Sequence, residues 1–233
     1  MLIGTRIVNP EEINIWNSEI IQISVYHGMK DNLDKMINCV RKCKETGLRY
    51  VVHPVRYSLL KEEMRDEIMI MAEQADLALI LHDESSPDGK RLSGNAESTF
   101  RKALEKLSLT TKISFENSTN TGDITWFWNE FADSVTLDIG HVESSGHDSL
   151  AFVRKLDKAV IEKIQFVHMH RNNGLRGGIT DHWPLSSDCR ELQALKEFLK
   201  VKSNVSVFVE LNEVEKIGES LDILKSLREG LVL

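Results

Sequence analysis

Short apolar runs rich in β-branched residues recur along the chain: LIGTRIV (2–8), IIQISVY (20–26), RYVVHPV (49–55), LALILHD (77–83), KISFEN (112–117), VTLDIGH (135–141), QFVHMHR (165–171) and SVFVELN (206–212). Runs of this length and composition predict eight buried strands. Helical periodicity fills the gaps. Leu33, Met36, Ile37 and Val40 form one stripe, with Gly47 placed as a left-handed C-terminal cap. Leu60, Met64, Ile68 and Met71 form a second, and Ile217, Leu221, Leu224 and Leu227 form the last. Leu192, Leu195 and Leu199 form another, which Asp188 and Glu191 could open as a capping box. Residues 9–17 are too few for a full helix, so the first connection is expected to be reduced.

Eight strand-then-helix units in 233 residues average about 29 residues each, which predicts a compact (β/α)₈ TIM barrel spanning residues 1–233 as one domain. An open, doubly wound sheet is the alternative, because strand count alone does not require closure. GTRIVNPEE after the first strand carries no G-x-G-x-x-G, and no Walker-type phosphate loop occurs anywhere. Hydrophobic residues at 41% and charged residues at 28% exclude a disordered or fibrous chain. The formal charge of −7 disfavours a nucleic-acid partner, although a local basic patch remains compatible with it. No apolar run reaches the roughly 20 residues of a bilayer span, so no membrane partner is expected. MLIGTRIVNPEE has no basic segment followed by a long apolar stretch, which makes a cytoplasmic location the expectation. Cys39 and Cys43, four apart on a helical stretch, read as reduced core residues; with Cys189 they complete the cysteines.

Polar residues fall where a barrel places its chemistry, at the C-terminal ends of strands. His53 ends the third run, His82 the fourth, Glu116 the fifth and Asp138 the sixth, with His141 three residues on. His168 and His170 end the seventh on one side of it, Asp181 and His182 follow on its loop, and Glu210 ends the eighth. With His27 after the second run, seven of the eight histidines lie at or just beyond a strand end, and His147 lies in the loop after the sixth. Any one of these histidines reads most simply as a surface or core residue. The set does not, because acidic residues ending apolar strands are rarely buried unless paired or metal-bound. Imidazole with carboxylate suits Zn²⁺ and is open to Mn²⁺, Fe²⁺ or Co²⁺, and the number of groups allows more than one ion.

The ordered set H-P, H, F-E-N, L-D-I-G-H, V-H-M-H, D-H-W-P-L and E on successive strands resembles the endonuclease IV family. More broadly, it resembles the xylose-isomerase-like superfamily of TIM barrels. The resemblance covers nearly the whole chain and extends to I-G-T-R-I in the first run. It implies that His53, His82 and Glu116 hold one zinc, and that Glu116 bridges to a second held by Asp138, His168 and Glu210. His141 and His182 would hold a third together with an aspartate two residues before His182. That position is Thr180 here, and the aspartate is the adjacent Asp181; Ser186 and Ser187 stand where relatives often carry Gly-Glu-Gly. The loops after the first two strands are also too short for the nuclease's DNA-penetrating segments.

Two enzymatic readings share this core, with one to three divalent ions. The resemblance implies phosphoester hydrolysis at a multinuclear zinc site, and the charge and short loops disfavour DNA as its substrate. The alternative is isomerisation or epimerisation of a sugar or sugar phosphate at a single Mn²⁺ or Mg²⁺, with Glu116 and Glu210 moving a proton and His141 contacting substrate. A third reading is a non-catalytic binder of metal or sugar. Arg6, His170, Arg171 and Arg176 are candidate substrate contacts, Arg6 equally a rim salt bridge. Gly174, Gly177 and Gly178 could make the loop beside them a lid. Trp126 and Trp128 read as helix packing.

Overall fold

The computed structural model describes residues 1–118, 121–172 and 181–231. The eight runs form strands β1 (Leu2–Ile7), β2 (Ile20–Tyr26), β3 (Arg49–Val55), β4 (Leu79–His82), β5 (Ile113–Glu116), β6 (Ser134–Asp138), β7 (Ile164–Met169) and β8 (Ser206–Val209). Each pairs in parallel with the next, and β8 returns to β1 through Thr5↔Val209, so the sheet closes. This is the (β/α)₈ barrel, and the open-sheet alternative is set aside. The first connection is a 3₁₀ turn at Pro10–Asn14, as short as its sequence requires.

Helices α1 (Asn32–Thr46), α2 (Glu62–Gln74), α3 (Gly94–Ser108), α4 (Ile124–Phe131), α5 (Ile139–Ser144), α6 (Ser149–Lys155), α7 (Lys158–Lys163), α8 (Arg190–Leu199) and α9 (Ile217–Leu231) wrap the outside. Gly47 ends α1 at φ +71, a left-handed conformation that glycine enters without the steric cost of a Cβ. Cys39, Cys43 and Cys189 are unpaired and buried. No helix among the described residues is long and apolar enough to cross a membrane.

Two expectations are corrected. The run 135–141 outlasts its strand, which stops at Asp138, the strand-end carboxylate, because that carboxylate accepts the His141 N–H at 2.7 Å and caps a helix there. Asp188 and Glu191 form no capping box: Cys189 is the N-cap of α8, and the Glu191 carboxylate turns away to accept the Asn172 N–H at 2.7 Å.

Alternate strand residues face opposite ways, and this sorts the molecule into layers. Outward-facing residues such as Ile21, Val52, Leu79, Phe115, Leu137 and Val167 belong to the large core under the helices. Inward-facing Ile20, Val51, Ile80, Phe166 and Phe208 close the bottom of the barrel as a separate apolar plug. One pleat higher come Gln22, His53, His82 and His168 on these strands, and Glu210 just past β8. The lower half therefore holds the barrel shut, and the upper half carries its chemistry. Trp128 ties β5 to the helical layer: it is fully buried and donates Nε1–H to the Phe115 carbonyl at 3.2 Å. Trp128→Ala should cost about 3–5 kcal/mol in urea unfolding; a loss under about 1 kcal/mol would show that this layer is not packed as described.

Candidate metal centre

Strand register builds the site. His82 pairs with Glu116 across β4 and β5, and Asp138 pairs with His168 across β6 and β7. Glu210 follows β8, its N–H donating to the Met169 carbonyl at 3.1 Å. Neighbouring strands thus deliver a carboxylate and an imidazole at one height. Glu116, Asp138 and His168 are fully buried, and Glu210 and His53 nearly so.

Three groups of ligand atoms result, each with all its members within 4.8 Å of one another: His53, His82 and Glu116; Glu116, Asp138, His168 and Glu210; and His141, His170 and His182. Glu116 belongs to two of them and divides its oxygens. Oε2 lies 3.2 Å from His53 Nε2 and 3.5 Å from His82 Nε2. Oε1 lies 3.3 Å from His168 Nδ1, which in turn is 3.8 Å from Asp138 Oδ2 and 3.7 Å from Glu210 Oε1. Tetrahedral ligands about 2.1 Å from an ion stand about 3.4 Å apart, so these edges fit a divalent cation. Both Glu116 oxygens, Asp138 Oδ2 and both His168 nitrogens are buried without a hydrogen-bond partner. Buried polar atoms are rarely left so. The residues present fit metal ions.

The surrounding contacts fix which nitrogen faces inward. His53 donates Nδ1–H to the Ile80 carbonyl at 3.0 Å, which leaves Nε2 as the ligand atom. His182 Nδ1 lies 3.1 Å from the Glu210 carbonyl, with the same consequence, whereas His141 Nδ1 stands 3.0 Å from the Asn117 carbonyl and also 3.3 Å from Glu116 Oε1 and 3.4 Å from Asp138 Oδ2. The Asn117 side chain brackets Asp138, donating to its carbonyl and accepting its N–H, both at 2.8 Å. Gln22 donates to Glu210 Oε1. His170 accepts the His182 N–H on Nδ1 at 3.1 Å and places Nε2 3.2 Å from Asp138 Oδ1. A Cβ on Gly140 would lie 2.2 Å from the His170 ring, so the glycine of L-D-I-G-H makes room for that imidazole.

Three buried carboxylates set the electrostatics. Burial pushes Glu116, Asp138 and Glu210 upward, but the imidazoles facing them prevail and hold all three below their usual range. His168 feels the reverse: burial opposes its charge, yet Glu210 and Glu116 raise it to about 9. Asp138 and Glu116 likewise raise His141 well above its ordinary value, against its burial. Burial lowers His82 and His182 to about 4, so both are neutral at pH 7. Protons on His141 and His168 therefore offset the carboxylates when no cation does.

Above these groups opens a cavity of about 400 Å³, lined among others by Arg6, Tyr26, Arg56, His82, Asp181 and His182. Of the residues expected in the site, Glu116, Glu210, His53, His82, Asp138, His141, His168 and His182 come together, and His170 joins the third group. Asp181 lines the cavity but lies outside all three groups; its Oδ1 accepts from Asn172 Nδ2 at 2.9 Å. Arg6 makes neither an ion pair nor a rim bridge among the described residues: it donates to the Tyr26 hydroxyl at 2.7 Å and to the Leu211 carbonyl. Arg171 bonds through its backbone to Trp183 and lines a separate side pocket with Glu143, Arg190 and Glu191. Arg176, Thr180 and the glycines 174, 177 and 178 lie outside the described residues. Sequence reasoning missed Gln22, Tyr26 and Arg56, and gave no role to Asn117 or Gly140.

No family model matches the chain, and no curated protein sequence matches it. Solved structures do. D-psicose 3-epimerase from Clostridium cellulolyticum H10 is 11% identical with a TM-score of 0.58, covering 99% of this chain and 92% of that one. A GH5 cellulase from an Icelandic hot spring isolate is 14% identical with a TM-score of 0.54, covering 98% and 88%. Dihydropteroate synthase from Yersinia pestis is 12% identical with a TM-score of 0.53, covering 98% and 94%. Likeness at these identities establishes the barrel alone.

Two outcomes follow from the geometry. Zinc binding at pH 7 should release protons from His141 and His168, seen by calorimetry in buffers of different ionisation enthalpy. The share from His168 should fade as pH rises through about 9, where that ring is already neutral; binding without proton release would contradict the charge balance. Gly140→Ala should displace the His170 ring and weaken the weakest zinc equivalent by about 10-fold or more while leaving the others in place. Unchanged affinity at every site would remove His170 from the centre.

Proposed function

We propose that this protein is a metal-dependent phosphoester hydrolase of the endonuclease IV-like kind, acting on a small phosphoester and not on duplex DNA. The observation that carries the reading is the divided carboxylate of Glu116, with one oxygen toward His53 and His82 and the other toward His168. A carboxylate so placed suits two ions side by side. Glu116, Asp138, His168 and Glu210 would hold one ion and His53, His82 and Glu116 a second; His141 and His182, with His170, would hold a third more weakly. Divalent ions there would supply Lewis acidity, acidifying a water near neutral pH and neutralising charge on a phosphoryl group.

The chain's own residues do the rest. The plug of Ile20, Val51, Ile80, Phe166 and Phe208 closes the barrel below, so substrate enters from the loop face. A 400 Å³ cavity suits a small molecule, and the short loops around β1 and β2 add no surface for a duplex. Asp181, on the cavity wall outside the ligand groups and held through Oδ1 by Asn172, would serve as the group that accepts a proton from water. The isomerase alternative uses only the group of Glu116, Asp138, His168 and Glu210 as ligands, and under it His53 and His82 would hydrogen-bond Glu116 or the substrate in place of holding an ion.

Zinc titration and phosphatase assays on a His53→Ala/His82→Ala variant test this. Wild type should take at least two zinc ions per chain and hydrolyse p-nitrophenyl phosphate. The variant should stay folded, lose one equivalent and lose at least about 100-fold in kcat/KM. Unchanged zinc content with an altered affinity for sugars would instead favour the isomerase.

A further inference from the structure

Three residues from the first three strands and their ends share one wall of the cavity: Arg6 on β1, Tyr26 on β2 and Arg56 just past β3. The order of strands sets this wall across the mouth from β6, which carries Asp138 and leads to His141. Arg6 has five N–H donors, of which two are engaged by the Tyr26 hydroxyl and the Leu211 carbonyl. Tyr26 accepts from Arg6, so its own proton is available to the cavity. Burial raises that phenol and keeps it protonated, against the neighbouring charges of Arg6 and Arg56.

Arg56 is exposed and enters no hydrogen bond or ion pair among the described residues. It also sits at φ +64, in the left-handed region that disfavours residues with a side chain. A long cation held in an unfavourable backbone conformation, at the mouth of a polar cavity and with no partner among the described residues, points to a ligand group from outside them. The chain as a whole is negative at −7, so two guanidinium groups on one wall, Arg6 with donors to spare and Arg56 unpaired among the described residues, are a local feature that would focus an anion.

We infer that Arg6, Arg56 and the Tyr26 hydroxyl form an anion subsite, and that the substrate is a small phosphorylated compound carrying a second anionic group. Its phosphoryl group goes to the metal centre and its second anion to the arginine wall. The inference rests on the hydrolase reading for the first of these and on the arginine wall for the second. Bidentate guanidinium contacts make the second anion a source of affinity and orientation.

Calorimetry on the zinc-loaded protein separates the two, with inorganic phosphate, glycerol 3-phosphate and 3-phosphoglycerate as probes. Wild type should bind 3-phosphoglycerate about tenfold more tightly than glycerol 3-phosphate at low ionic strength. Arg56→Gln should bring the two within about twofold while leaving inorganic phosphate binding in place, and Arg56→Lys should keep part of the preference. Equal affinities in wild type, or a preference that survives Arg56→Gln, would overturn the subsite and leave the hydrolase reading standing. Failure of inorganic phosphate to bind the zinc-loaded wild type would overturn both.

Discussion

Three carboxylates, Glu116, Asp138 and Glu210, lie at one level inside a barrel that admits almost no solvent to them. An ionised carboxylate in such a place costs several kcal/mol unless it is paired or ligates a cation. Everything around the centre answers that cost. Imidazoles from β3, β4 and β7 converge on Glu116, and His141 and His168 hold protons far above their ordinary range because the carboxylates demand positive charge. Divalent ions would meet the same demand with higher charge density and would satisfy the orphaned oxygen and nitrogen atoms as well.

The geometry is held by contacts one step removed from the ligands. Asn117 grips the backbone of Asp138 from both sides, and Asp138 caps the short helix that carries His141. Backbone carbonyls of Ile80, Asn117 and Glu210 orient three imidazoles. His182 adopts φ +61, and the antiparallel pairing of Arg171 with Trp183 brings it back over the barrel mouth. Meanwhile the apolar plug beneath bears the closure of the barrel, so the layer above can carry charge that a folding core would not tolerate.

Much of this was legible in the sequence. Eight β-rich runs separated by helical stripes announce the barrel, because period-2 and period-3.6 patterns are local. The strand ends were legible because charged residues closing apolar runs are exceptional. What stayed hidden is tertiary. The seventh and eighth runs read as longer than their strands, since β propensity cannot report where the ladder ends. Glu191 read as a helix cap, although its partner is the Asn172 amide arriving from the end of β7. Arg171, beside the ligands in sequence, faces a side pocket, whereas Arg56, unremarkable in sequence, faces the cavity. Gly140 could have been suspected as a glycine between two ligands, but its reason is the His170 ring from another strand.

The central claim is that Glu116 bridges two ions. Anomalous diffraction at the zinc edge from crystals grown with zinc tests it directly. The account predicts two strong peaks about 3.5–4 Å apart, one on each side of the Glu116 carboxylate, with His53 and His82 on one and His168, Asp138 and Glu210 on the other. A single peak among Glu116, Asp138, His168 and Glu210, with His53 and His82 bound only to protein atoms, would contradict it.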